Sequence, residues 1–172
     1  MVTGLPASGK TTLGCRIAAE LSWPYLDKDD FLEAMFDSQG LGDEQWRRRL
    51  SIEADEQFEI RALEQSNTVL VSHWRPRGRT DTGTPVDWVN RHFQNTIEVY
   101  CECDPELATR RFVSRTRHPG HLDETKSEEA ILSWMHDMAA LYPLSCAKVI
   151  RVPSVSDILI QGVVDEIRQL GL

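Results

Sequence analysis

The residues most able to do chemistry stand at the front of the chain, in Gly4-Leu5-Pro6-Ala7-Ser8-Gly9-Lys10-Thr11, an unbroken G-x-x-x-x-G-K-[ST] pattern. Gly4 and Gly9 let the backbone curl around Pro6, Ala7 and Ser8, so that successive N–H groups face one concavity, and the following helix adds its positive N-terminal end. Lys10 is spaced to bridge β- and γ-phosphates, and the Thr11 hydroxyl to ligate Mg²⁺. Thr12 is a second, weaker hydroxyl on the same turn. A merely structural glycine turn is the plain alternative. The pattern, however, follows an apolar residue and opens a helical periodicity (Leu13, Ile17, Ala18, Leu21), the setting that a phosphate cradle requires. The implied ligand is a nucleoside triphosphate.

A second set is acidic. Tyr25-Leu26-Asp27-Lys28-Asp29-Asp30-Phe31 closes one strand and opens a helix, so Asp27 and Asp29 project at the same sheet edge as the cradle. A carboxylate beside an attacking hydroxyl can accept its proton, although phosphoryl transfer depends more on alignment. Helix capping and dipole compensation are the other use of such aspartates, and Asp30 fits that use. Further on, the loop His73–Val86 carries Pro76, Gly78, Gly83, Pro85 and Arg75, Arg77 and Arg79. It follows a strand, and ligands in open α/β sheets collect beyond the strands' carboxyl ends. His73, Trp74 and Arg75 are therefore candidate acceptor contacts, with ordinary packing the competing role for Trp74 and a solvated crossover for the loop.

A third set is basic. Between Leu107 and His121 stand Arg110, Arg111, Arg115 and Arg117 without one acid. Read at helical spacing they repel one another, so an anion is expected among them; a solvated basic helix is the alternative. Pro119 and Gly120 suit a hinge. His118 and His121 have no spaced Cys or acidic partner that would make them zinc ligands.

Taken together these sets resemble the small P-loop kinases: shikimate and gluconate kinases, chloramphenicol phosphotransferase, adenylylsulfate kinase and the zeta-toxin group. Those proteins place Asp-x-Asp some 17 to 20 residues beyond the P-loop lysine; here the offsets from Lys10 are 17 for Asp27 and 19 for Asp29. The resemblance implies a three-layer α/β/α P-loop fold with a mostly parallel five-stranded sheet and an Arg-rich helical lid at about 107–126. It implies ATP and Mg²⁺ as cofactors, with Asp27 near the metal beside Thr11 and Asp29 facing the acceptor hydroxyl. Arg115 and Arg117 become the transition-state arginines, and Arg110 or Arg111 a purine contact. Arg151-Val152-Pro153-Ser154-Val155 is similar to the loop that closes over adenine, with Pro153 on the purine face; Pro153-Ser154 reads equally as a stop and an N-cap. Other P-loop proteins end a separate strand in a metal-binding carboxylate. Here Thr68–Ser72 runs into His73 with none, which leaves Asp27 as the acidic metal partner.

These residues need elements to hold them. Strands are expected at Met1–Thr3, Pro24–Asp27, Thr68–Ser72, Thr96–Cys101 and Lys148–Val152, alternating with helices, the pattern of a parallel sheet covered by helices. The helices run over Lys10–Leu21, Asp43–Gln65, from Asp104-Pro105 onward, Ser127–Leu141 and Ser156–Leu170. Only Met1-Val2-Thr3 precede Gly4, so the first strand is either very short or recorded a few residues late. The 172 residues fit one domain, 41% hydrophobic and 27% charged, with a formal charge of −8. That acidity disfavours duplex nucleic acid and anionic membranes. It conceals a segregation: Arg75–His121 holds eight arginines against six acids, a balance of +2, and the remainder is −10. No apolar run reaches membrane-spanning length, no secretory signal is visible, and four cysteines without a CxxC pair fit a reducing cytoplasm. The expected activity is γ-phosphoryl transfer from ATP to a hydroxyl of a small polar acceptor: a sugar, sugar acid, nucleoside or antibiotic. A polynucleotide 5′-hydroxyl or nucleotide kinase is the second enzymatic reading, and a non-catalytic ATP-binding regulatory domain the third. Sequence alone leaves the oligomeric state open.

Overall fold

A computed structural model describes residues 1–76, 83–123, 127–154 and 159–171. Arg77, Arg79 and Val155, and the end of the proposed lid, lie outside the described residues. Five short strands, β1 (Val2–Gly4), β2 (Tyr25–Asp27), β3 (Val69–Val71), β4 (Ile97–Glu102) and β5 (Lys148–Pro153), form one sheet in the order β2-β3-β1-β4-β5. Every pairing is parallel, with Asp27 beside Val71, Gly4 beside Cys101 and Glu102 beside Pro153.

Alternation along the strands sorts the core into two faces. Val2, Val69, Val71, Val99, Cys101, Ile150 and Val152 point to one side, where α1 (Lys10–Leu21) and α7 (Ile160–Gln169) bring Leu13, Ile17, Ala18 and Ile167. On the other side Tyr100 meets α5 (Pro105–Ser114) and α6 (Glu128–Ala139) through Ala108, Phe112, Ile131, Met135 and Met138. Leu70 meets α3 (Glu44–Leu63) and α4 (Asp87–His92) through Phe58, Ala62, Trp88 and Val89. α2 (Lys28–Gln39) packs on α3 with Leu32, Met35 and Phe36 against Leu50 and Ala54. The result is three layers.

In α3 Leu50, Ala54, Phe58 and Ala62 recur every four residues as a fully enclosed stripe, and Asp43 caps the helix by accepting from the Trp46 amide at 2.8 Å. Asp104 and Ser127 cap α5 and α6 in the same way. Among the described residues α7 has Leu159, 86% exposed, as its N-cap; the expected start at Ser156 lies outside the described residues. α4 carries no sequence signal, because six residues are under two turns and show no period.

Parallel strands all end at one edge. That edge receives the cradle after β1, Asp27 and α2 after β2, Ser72-His73 after β3, α5 after β4 and Ser154 after β5. Chemistry spread over 150 residues of sequence is thereby gathered into one place.

Candidate active site

The cradle bends where the sequence leaves it free to. Gly4 sits at φ +138, and a Cβ there would stand 2.5 Å from the Cys101 carbonyl oxygen. Ala7 and Gly9 are left-handed at φ 59 and 100. Gly9 is the N-cap of α1, with no side-chain cap and no acid in the first turn. A helix N-terminus left open in this way is an anion site by default. The Ser8 hydroxyl is buried without a hydrogen-bond partner, and the buried Lys10 ammonium donates to the Leu5 carbonyl at 2.7 Å. Burial draws Lys10 down to about 8, against the pull of Cys101, Asp27 and Asp29. A buried cation resting on its own loop's carbonyl, beside an orphan hydroxyl, fits a phosphate chain that would satisfy both.

Thr11 and Asp27 are brought together: the hydroxyl donates to Asp27 Oδ2 at 2.9 Å. The Tyr25 hydroxyl donates to the same oxygen at 2.9 Å, and Oδ1 caps α2 by accepting from the Asp29 amide at 3.1 Å. Both uses foreseen for these aspartates therefore coexist in Asp27. Burial and the Asp29 charge raise its carboxyl, while the three hydrogen bonds work the other way. One hydroxyl and one carboxylate suit Mg²⁺, which keeps most of its shell for water and phosphate oxygens.

Asp29 behaves oppositely. Burial works to raise it, and Arg117, His121, Lys28 and Lys10 together outweigh that, so it stays below the ordinary carboxylate range. Arg117 donates directly to its Oδ2. Two carboxylates two residues apart, pushed in opposite directions, suit different tasks.

The arginines resolve into separate roles. α5 ends at Ser114, so the four do not share one helix: Arg115 is the extended C-cap and Arg117 lies beyond it. The expected anion is internal, since Asp123 Oδ2 accepts from Arg115 at 3.3 Å and from Arg117 at 3.1 Å. Asp123 lies two residues past the acid-free stretch, outside the pattern that marks the arginines. Arg115 keeps a buried, unpartnered Nε, and its charge reaches Lys10. Arg111 donates to the Ser154 hydroxyl at 2.6 Å, and Ser154 donates in turn to the Ser8 carbonyl. Ser154 thus ties the β5 end and α5 to the cradle rather than capping α7. Arg110 is exposed, on the side of Asp104, and is not brought to the cradle. Pro153 closes β5, exposed, immediately before Ser154.

On the acceptor side, His73 has both ring nitrogens buried and unpartnered. Burial and the Lys10 charge hold it down at about 3, so it is neutral. Trp74 is not a pocket residue. It is fully enclosed with Phe58 and Trp88, and its indole N–H donates to the Val2 carbonyl at 2.9 Å. Trp74 lies three residues past β3 and is held there by an isolated bridge to Thr84 and by the Tyr142 hydroxyl, which donates to its carbonyl at 3.0 Å. Arg75 Nε donates to the Gly83 carbonyl at 3.0 Å, joining the two described ends of the loop. A polar wall that sequence did not single out stands behind these residues. Lys28 donates to Ser51 at 2.6 Å, and Asp55 accepts from Thr84 at 2.7 Å, which also shares a proton with Ser72 at 2.6 Å. Lys28 had a signal, its place between the two aspartates; Asp55 and Thr84, 29 residues apart, had none.

Residues 1–141 match the family model described as AAA domain. No curated protein sequence gives a significant match. Among solved structures, a protein of Chloroflexus aurantiacus J-10-fl assigned as a kinase is 26% identical with a TM-score of 0.79, over 99% of this chain and 97% of that one. Shikimate kinase from Bacteroides thetaiotaomicron is 20% identical, TM-score 0.63, covering 98% and 95%. Deoxyadenosine kinase from M. mycoides with bound dATP is 15% identical, TM-score 0.57, covering 97% of each. These likenesses place the five-stranded parallel sheet and its helices in the fold of small P-loop kinases.

Proposed function

From a chain that belongs to the AAA domain family of P-loop proteins, we propose an ATP-dependent kinase, one domain over 1–172, that phosphorylates a hydroxyl of a small polar acceptor. The observation that carries this is the position of Asp29: two residues past the Asp27 that holds Thr11, paired with Arg117, and close enough to Lys10, Lys28 and His73 to interact with them electrostatically. A domain that only senses ATP has no use for such a carboxylate.

In the proposed reaction the cradle amides, the Ser8 hydroxyl and Lys10 hold the β- and γ-phosphates. Thr11 and Asp27 would hold Mg²⁺, which when bound neutralises phosphate charge. The acceptor oxygen bonds to the γ-phosphorus as the bond to the β-bridging oxygen breaks, ADP leaves, and the hydroxyl proton passes to Asp29. Arg115 takes charge developing on the transferred group. His73, neutral and unsatisfied, supplies one donor and one acceptor to an uncharged acceptor hydroxyl. The enclosure of Trp74 removes the stacking platform that a polynucleotide kinase would use, and this favours a small acceptor.

Screening hydroxylated metabolites for ADP release above basal hydrolysis tests the reading. At least one sugar, sugar acid, nucleoside or hydroxylated antibiotic should raise release about tenfold or more, and Asp29→Asn should abolish that increment while nucleotide still binds. Stimulation that survives in Asp29→Asn would contradict the role given to this carboxylate.

A further inference from the structure

Asp29, Glu33 and Asp37 fall at i, i+4 and i+8 of α2, so they form one stripe along its surface. The segment after α5 meets that stripe residue for residue. Arg117 pairs with Asp29, His121 Nε2 with Glu33 Oε1 at 2.8 Å, and His118 Nε2 with Asp37 Oδ1 at 3.2 Å. Phe36 lies between the two imidazoles, stacked on His118 at 5.2 Å and edge-on to His121 at 5.6 Å. Gly120 makes this fit possible, because a Cβ there would fall 2.4 Å from the Phe36 ring. His121 is only 4% exposed, whereas the Asp37 side chain is 76% exposed. The inner pair, Glu33–His121, is therefore the tighter fastening, and the outer one is weakened by solvent.

The docked segment divides its two arginines. Asp123 holds both and Arg117 turns to Asp29, while Arg115, its guanidinium over the Phe112 ring at 4.3 Å, keeps an unpartnered Nε and lies near enough to Lys10 for the two charges to interact. We infer that Glu33 and His121 are positioning residues for phosphoryl transfer: they latch the lid to the acceptor-side helix, so that Arg115 is delivered to the phosphates and Arg117 to Asp29. The lid is thus registered by α2, the helix that carries Asp29, rather than by the nucleotide alone. This inference rests on the kinase reading above. Misplacing a catalytic group by about 1 Å costs on the order of a hundredfold in rate, so a latch remote from the reacting atoms has a measurable effect.

Two measurements on the full-length protein test it. In Glu33→Ala and His121→Ala, kcat for transfer should fall about tenfold to a hundredfold, with the Kd of a non-hydrolysable ATP analogue changed less than about twofold. Glu33→Gln keeps an oxygen for the His121 N–H and should recover most of that loss. The double variant should be little worse than either single one. Without any ligand, amide exchange over 115–123 should quicken about tenfold or more in both alanine variants, and exchange in α3 should not. Unchanged kcat in both variants, or analogue affinity lost in step with kcat, would overturn the positioning role. Unchanged exchange would overturn the latch itself. A wild-type protein that transfers to no acceptor would sink the kinase reading, and the exchange measurement separates that failure from failure of the latch.

Discussion

At the residue scale the site is a set of groups held in unusual states by one another. Lys10 is buried against its own loop, Ser8 and His73 have polar atoms without partners, and Asp27 and Asp29 are shifted in opposite directions. Strain of this kind is tolerated where a ligand relieves it. His73 has a measurable consequence. An unfolded histidine titrates near 6.5 and the folded one at about 3, so between those values the unfolded chain binds the extra proton. The stability associated with neutral His73 is full above about pH 6.5 and is lost as pH falls toward 3. His73→Gln abolishes that loss. Chemical denaturation of both proteins at pH 7 and pH 5 should show the difference between them move by about 2 kcal/mol in the variant's favour at pH 5. A difference constant with pH would contradict the buried, neutral imidazole.

At the element scale, α1 carries Lys10 and Thr11 and must lie close to the sheet for the cradle to form. Gly14 sets that distance, since a Cβ there would meet Val71 Cγ2 at 2.5 Å and the Tyr25 ring at 3.1 Å. Gly14→Ala gains about 1 kcal/mol of helix propensity and loses roughly 1–3 kcal/mol to overpacking. We expect net destabilisation of about 1 kcal/mol in urea unfolding together with weaker nucleotide binding; a more stable variant would contradict the tight seat. Elements with long periods or strong caps could be read directly: α3 from Leu50, Ala54, Phe58 and Ala62, α5 from Asp104-Pro105, and all five strands to within two residues. The local part of the site was legible for the same reason, because the cradle and Asp27-x-Asp29 are contiguous. What stayed hidden depends on pairings distant in sequence. Arg117 with Asp29 is a contact over 88 residues, His121 with Glu33 over 88, and Ser154 with Ser8 over 146. Of the two roles open to Trp74, the structure shows the core one, because an aromatic residue beside a site and one in the core look alike in sequence.

At the scale of the whole molecule, within a net charge of −8, Lys10, Lys28, Arg115 and Arg117 gather at the carboxyl ends of the strands, interleaved with Asp27, Asp29 and Asp123. Among the described residues no helix is long and apolar enough to cross a membrane. Nucleotide bound at that edge should stabilise the entire fold. ATP with Mg²⁺ at about a hundred times its Kd should add about 2.7 kcal/mol to unfolding, seen as a rise in Tm, and Lys10→Ala should lose most of that rise at the same concentrations. An equal rise in the variant would argue that nucleotide binds elsewhere. The central claim is that this edge passes the γ-phosphoryl group to a hydroxyl aligned by Asp29. It is tested most directly by incubating wild type, Lys10→Ala and Asp29→Asn with γ-labelled ATP, Mg²⁺ and a pool of hydroxylated metabolites, then following the label by chromatography and mass spectrometry. Wild type should place label in a single phosphorylated acceptor, and neither variant should label any. Label confined to inorganic phosphate in all three would contradict it.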